Sequence, residues 1–262
     1  MSDFTTRPEI MGRHYVVTSG HYLATAAGAH IMEGGGNAID AAAAMCICLN
    51  LLEPYSNGIG GEAPTLIYSA AEGKPFAISG VGCTPSALTI DYCRGHGIDL
   101  IPGDGYLPAC VPATVGTWAH AVTRFGRLRF ADVLAPAIEL AENGFPVYPD
   151  FMHRTEARSS LFLRRYPSTA AIYCPDGRIP QTGELFRNPD FAAMLRIMVA
   201  AEEASSGGRE CGIEAAREAF YSGPIAEEVV RFIKTPLLDA SGDEHAGLLN
   251  VEDLSHWRAT TE

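Results

Sequence analysis

Along this chain the longest hydrophobic pattern is also the least amphipathic. Ala38–Leu52 is apolar at every position except Asp40 and Asn50, and a run apolar on all sides predicts a buried helix, not a surface one. At 1.5 Å per residue it is about 22 Å long. Its uninterrupted part, Ala41–Leu49, is far short of the ~20 apolar residues a membrane span needs. Asn37 is placed to cap the first turn, and Asp40 puts a carboxylate near the positive end of the helix dipole. Glycines flank the run on both sides: Gly34-Gly35-Gly36 before it and Gly58-Ile59-Gly60-Gly61 after it.

Upstream, the β-branched stretch His14–Ser19 predicts a strand. Tyr22–Glu33 predicts a helix with Leu23, Ala26, Ala27 and Ile31 on one face, stopped by Gly34. Downstream, Thr65–Ser69 and Phe76–Ser79 flank Glu72-Gly73-Lys74 and predict a hairpin. These strands are expected to share one sheet with His14–Ser19, with Ala38–Leu52 packed on it. Tyr92–Tyr106 is glycine-rich and aperiodic and reads as a surface loop. Pro112 opens a helix through Phe125, stopped by Gly126. Phe130–Asn143 is helical up to Gly144, with Pro136 kinking or splitting it. Phe151–Leu163 reads as a helix and Pro167–Pro189 as turns. Phe191–Ala204, Glu214–Phe220, Ile225–Ile233 and Val251–Trp257 read as helices, with a break at Ser205–Gly208. The expected organisation is one domain over residues 1–262, its helical portion about 112–258.

Composition narrows the function. A formal net charge of −12 has the wrong sign for a nucleic-acid or anionic-membrane binder. The seven cysteines include no CxxC and no zinc spacing, which points to free thiols in a reducing, cytoplasmic compartment. The N-terminus lacks the basic start and apolar run of a secretory signal. No nucleotide-binding loop, GxSxG or HExxH is present. Gly58–Gly61 could cradle an anion, but it lacks a following lysine and follows a helix. Asp40 and Glu62 could form an acid–base pair only if the fold brought them together. His30 and His96 read as a core histidine and a solvated one.

Particular residues go further. Gly35-Gly36-Asn37-Ala38-Ile39-Asp40-Ala41-Ala42, then Glu53-Pro54 and Ser56-Asn57-Gly58-Ile59-Gly60-Gly61, resemble the gamma-glutamyltransferase (gamma-glutamyltranspeptidase) family in motif and spacing. Val111–Gly116 is similar to the family's VPGTVAG segment. Leu134–Ala141 through Gly144–Val147 is similar to its LAPAIELA…GFPV stretch. Arg187-Asn188-Pro189, Phe220–Gly223 and Leu254 also match, so coverage runs roughly from Thr18 to Arg258. The resemblance implies an α+β fold, an N-terminal-nucleophile hydrolase-like αββα sandwich of which this chain is the large-subunit portion only. It implies amide cleavage by a threonine at the start of a small subunit cut from the same precursor, with that threonine's own amine as base. That small subunit and a small-molecule amide are the implied partners, and no cofactor or metal is implied.

Two departures from the family pattern matter. The sequence stops at Glu262, before the cleavage threonine is expected, and Thr260-Thr261 comes too early to be it. No residue here is therefore assigned as catalytic, and the chain is expected to be inactive alone, with an apolar sheet edge or patch that a partner covers. Second, where members using γ-glutamyl donors place an arginine in an FRExxP segment, alignment on Pro85 puts Val81, in Ser79-Gly80-Val81-Gly82-Cys83. Gly80, Val81 and Gly82 are thus the expected substrate-binding residues, for a donor with no α-carboxylate at that point. The rival readings are a non-catalytic relative with a structural or binding role, and an unrelated α/β domain holding a small anion at its glycine turns.

Overall fold

A computed structural model describes residues 9–262. The first two helices, α1 (Tyr22–Glu33) and α2 (Ala38–Leu52), pack against each other. Between them Gly35 sits at φ 97°, a conformation that favours glycine. The start of α2 is built as a capping box: the Asn37 side chain accepts from Ile39 N and Asp40 N, and Asp40 Oδ2 accepts from Asn37 N at 2.8 Å. Asp40 is fully buried, yet its carboxylate also accepts from Arg127 N at 3.0 Å and Leu128 N at 3.3 Å. Asn37 Nδ2 donates to Phe125 O at 2.6 Å. The cap therefore clamps α2 to a turn some ninety residues later. Gly126 in that turn is bare because a Cβ there would lie 2.4 Å from Asp40 Oδ1.

After α2 come the strands β1 (Thr65–Ser69) and β2 (Lys74–Ser79), then the short helix α3 (Ile90–Gly95). Helices α4 (Thr114–Phe125) and α5 (Phe130–Asn143) follow. Next are β3 (Phe145–Pro146), α6 (Pro149–Arg165), α7 (Pro167–Tyr173) and β4 (Leu185–Phe186), which pairs with β3. The rest is α8 (Pro189–Ala204), α9 (Gly208–Tyr221), α10 (Pro224–Ile233), the pair β5 (Leu237–Leu238) and β6 (Glu244–His245), α11 (Val251–His256) and β7 (Thr260–Thr261). Side chains from other helices close the helix ends. Glu202 of α8 accepts from Phe130 N at 2.9 Å and Ala131 N at 2.5 Å, the otherwise unpaired donors that open α5. Arg209 of α9 donates to Val122 O, Thr123 O and Leu128 O where α4 ends.

The sheet is antiparallel in the order β1-β2-β7. Its register pairs Thr65 with Ile78, Ile67 with Phe76, and Ile78 with Thr261. Strand alternation sends Ile67, Phe76 and Ile78 inward. Helix α4 lies on that inner face: the Phe76 and Phe125 rings are 5.1 Å apart, and Arg124 sits 4.7 Å over Phe76. His120 Nε2 and Thr261 Oγ1 are 2.7 Å apart, tying α4 to β7. On the other face Leu66 is 82 % and Tyr68 68 % exposed. This is the expected apolar patch.

Several sequence expectations need correction. His14–Ser19 is no strand; its β-branched residues favour extended backbone, but the second edge of β2 is taken by β7. Burial of α2 holds, with Ala38 alone exposed along it, but its packing partners are α1, α5 and α4, while α4 covers the sheet. Pro136 neither splits nor ends α5; it forfeits the hydrogen bond to the Asp132 carbonyl, and the helix continues. The stretches read as loop and turns open with α3 and α7 respectively.

Candidate functional site

β2 ends at Ser79, and the loop that leaves it is wedged between two other stretches of backbone. Ala63 N donates to Gly80 O at 2.8 Å, and Val111 N donates to Cys83 O at 2.9 Å. Neither approach leaves room for a side chain. A Cβ on Gly80 would lie 2.3 Å from Ala63 O, and one on Gly82 would lie 1.9 Å from Val111 O. Between the two glycines Val81 is 49 % exposed. Its backbone is nevertheless fixed, because Trp257 Nε1 donates to Val81 O at 3.2 Å.

Trp257 is itself held from three sides. Gly116 of α4 makes space for it, since a Cβ there would lie 2.6 Å from the indole. The Tyr221 ring stacks on it at 5.8 Å. The Arg217 guanidinium donates to Trp257 O at 2.6 Å and lies 4.8 Å over Tyr221. Tyr221 donates to Pro112 O at 2.6 Å and accepts from Gly116 N at 3.0 Å, and burial raises its pKa, so the phenol stays protonated. Sequence reasoning missed Trp257, Tyr221 and Arg217 as supports of the loop. The one available signal was Gly116, a glycine inside a helical pattern.

The Gly58–Gly61 turn beside this loop points its carbonyls, not its N–H groups, at α4. Gly61 O accepts from Ala113 N at 2.9 Å and Thr114 N at 3.1 Å, and Thr114 Oγ1 donates to Gly58 O at 3.3 Å. Gly61 N is used internally, on Gly58 O at 2.9 Å. The turn therefore serves as the N-terminal anchor of α4, and its carbonyls offer nothing to an anion. Asp40 and Glu62 form no acid–base pair, because Asp40 is committed to backbone N–H groups while Glu62 is exposed. Cys110, near Glu62 and Cys83, has its pKa raised by burial and by those neighbours, the opposite of an activated thiol. His96 stacks on Tyr92 at 4.1 Å; His30, expected in the core, is instead exposed at the rim of a groove between α1 and α5, and neither makes any of the loop's hydrogen bonds. Chemically the loop offers a fixed backbone, one exposed apolar side chain and no guanidinium at position 81.

Known proteins share the architecture that carries this loop. The family model described as Gamma-glutamyltranspeptidase matches residues 24–262. The chain is 34 % identical over 226 residues to the glutathione hydrolase-like YwrD proenzyme of Bacillus subtilis, covering 86 % of this chain and 40 % of that protein. It is 34 % identical over 269 residues to the acylase ACY 1 proenzyme of a Pseudomonas species, covering 98 % and 44 %. It therefore spans less than half the length of these curated relatives. The crystal structure of Helicobacter pylori gamma-glutamyltranspeptidase superposes with a TM-score of 0.81 at 26 % identity, over 97 % of this chain and 67 % of that one. The fold is thus that of the N-terminal-nucleophile hydrolases. With the family model covering nearly the whole chain, and relatives above 30 % identity, the chain belongs to the gamma-glutamyltranspeptidase family.

Proposed function

We propose that this chain is the large-subunit region of an amide-cleaving hydrolase or acyltransferase, and that its donor lacks an α-carboxylate at the point facing Val81. A threonine opening the small subunit of the same precursor attacks the amide carbonyl with its own amine as base, and the acyl-enzyme passes to water or to an amine. This chain supplies one wall of the donor site, the Gly80–Gly82 loop. The observation that carries the reading is Val81: its side chain is 49 % exposed between two glycines that have no room for side chains. An arginine there would give a carboxylate a bidentate, charge-assisted contact. Losing a hydrogen bond to a charged group costs roughly 1.5–3 kcal/mol, about ten- to a hundred-fold in donor recognition. The acylase name of one relative and the proenzyme names of both support acyl chemistry after precursor processing. The bare face at Leu66 and Tyr68 supports a companion polypeptide packed on the sheet.

The test is kinetic, on the complete protein. Acyl amides without an α-carboxylate are expected to be cleaved at least about tenfold better than γ-glutamyl amides. A preference for γ-glutamyl donors, with no further gain from Val81→Arg, overturns the specificity. The 262-residue chain by itself is expected to release no amine from either donor; turnover that disappears on changing one of its own side chains would refute the subunit assignment.

A further inference from the structure

A cleft of about 530 Å³ opens where α1 begins and α2 ends, with Ser19, His21, Glu53, Tyr55, Tyr148 and Asp150 in its walls. It shares no lining residue with the Gly80–Gly82 loop. Two of its groups are unspent. His21 is only 5 % exposed. As the N-cap of α1 it accepts from Leu23 N at Nδ1, at 3.2 Å, so the neutral ring carries its proton on Nε2. Burial lowers the His21 pKa and favours that neutral ring. Tyr22 and Tyr148 hold the imidazole between them, with centroids at 4.5 and 4.7 Å. Nε2 is nonetheless buried without a hydrogen-bond partner among the described residues, and such a donor in a native structure needs an explanation.

Glu53 is the second group. Its carboxylate is pressed so close to Gly20 that a Cβ there would lie 2.6 and 2.7 Å from the two oxygens. Among the described residues those oxygens accept no hydrogen bond. Burial and then Asp150 raise the Glu53 pKa, so a cation at this carboxylate would be welcomed. Asp150 has its own partner, Arg154, at 3.5 Å. Tyr148 donates to Leu52 O at 2.7 Å, so in the 2.9 Å pair of hydroxyls Tyr55 donates to Tyr148. The Tyr55 oxygen retains acceptor lone pairs in the cleft wall, with the Asp150 carboxylate close beside it.

We propose that this cleft binds the zwitterionic head of a small amino acid, its ammonium on Glu53 and Tyr55 and its carboxylate on the Nε2–H of His21. A lone amine leaves the buried His21 donor unpaired, and a lone carboxylate meets Glu53 and Asp150 as like charge. An internal peptide unit offers Glu53 no charge. A free amino acid satisfies both groups at once.

The test is titration of the 262-residue chain with glycine, and separately with methylamine and acetate, followed by calorimetry and by the imidazole resonances of His21. Glycine is expected to saturate at millimolar concentration and to bind about tenfold or more tightly than either half. Glu53→Gln removes the charge at constant shape. His21→Asn keeps an oxygen for the Leu23 cap, while its shorter side chain places no donor at the Nε2 position. Each is expected to weaken glycine about tenfold, with thermal melts confirming that both variants fold, and Glu156→Gln is expected to change nothing. The proposal is overturned by the absence of saturable shifts at tens of millimolar, by binding that survives both substitutions, or by methylamine or acetate binding as well as glycine. It is equally overturned if the complete protein, in which a polypeptide could fill the cleft, no longer binds glycine.

Discussion

The helical half of this molecule and its small sheet reach different degrees of completion. In the helices the polar ends are closed from within: Asp40 serves α2 and the α4–α5 turn, Glu202 the start of α5, and Arg209 the end of α4. Their apolar faces meet one another, and Phe130, Leu134, Ile47 and Leu195 are fully buried. The sheet is finished on one face by α4. On the other it presents Leu66 and Tyr68 to solvent, and the outer edge of β1 has no partner strand among the described residues. The starts of α2 and α5 are each closed by a buried carboxylate, Asp40 and Glu202, whereas nothing among the described residues closes that sheet face. The difference marks the Leu66–Tyr68 face as the surface on which the proposed companion polypeptide would pack.

The largest expected effect attacks the finished half. Phe130→Ala, at a fully buried ring, is expected to cost about 3–5 kcal/mol in the denaturant midpoint. Asp40→Ala removes a cap and strands the Arg127 and Leu128 N–H groups; about 2–3 kcal/mol is expected on the same measurement. Trp257→Phe keeps an aromatic ring but deletes the hydrogen bond to Val81 O; about 1 kcal/mol is expected, with faster amide exchange in the Gly80–Gly82 loop.

A pH effect joins the two halves through His120, which ties α4 to Thr261. Burial, and then Arg124, lower its pKa in the fold, whereas the unfolded ring titrates at about 6.5. The unfolded chain then binds more protons, so this contribution to stability is intact above about pH 6.5 and falls as the pH drops below it. His120→Gln is expected to flatten that part of the stability–pH curve. The smallest effect belongs to the unfinished half. Leu66→Ser and Tyr68→Ser are expected to change the stability of the isolated chain by within about 0.5 kcal/mol and to impair assembly of the complete protein. If either costs the isolated chain as much as Phe130→Ala, the contrast between the halves collapses.

How much of this was legible beforehand follows the same division. Tyr22–Glu33, Ala38–Leu52 and Phe130–Asn143 were readable to the residue, because composition, caps and glycine stops are local signals. The Asn37–Asp40 cap was visible for the same reason, but its grip on Arg127 and Leu128 was not, since nothing local encodes a partner that distant. His14–Ser19 misled because β-branched residues specify an extended backbone and not a neighbour. Pro167 was read as a turn residue when it opens α7, a first-turn position proline also favours. Val81 was reached through family motifs and not through pattern. The indole that fixes its carbonyl lies 176 residues further on, beyond any periodicity argument.

The way the Gly80–Gly82 loop is held has an evolutionary corollary. Its position is fixed by the Val81 carbonyl and by the bareness of two glycines, while the Val81 side chain carries no structural duty in the contacts described. Residue 81 is therefore a position where drift is cheap: descendants can sample polar, charged or bulky groups there without first acquiring a compensating change in the core. A scaffold arranged in this way lets that side chain change faster than the architecture around it, and saturation mutagenesis at that single codon is the natural way to ask whether it sets the proposed donor preference.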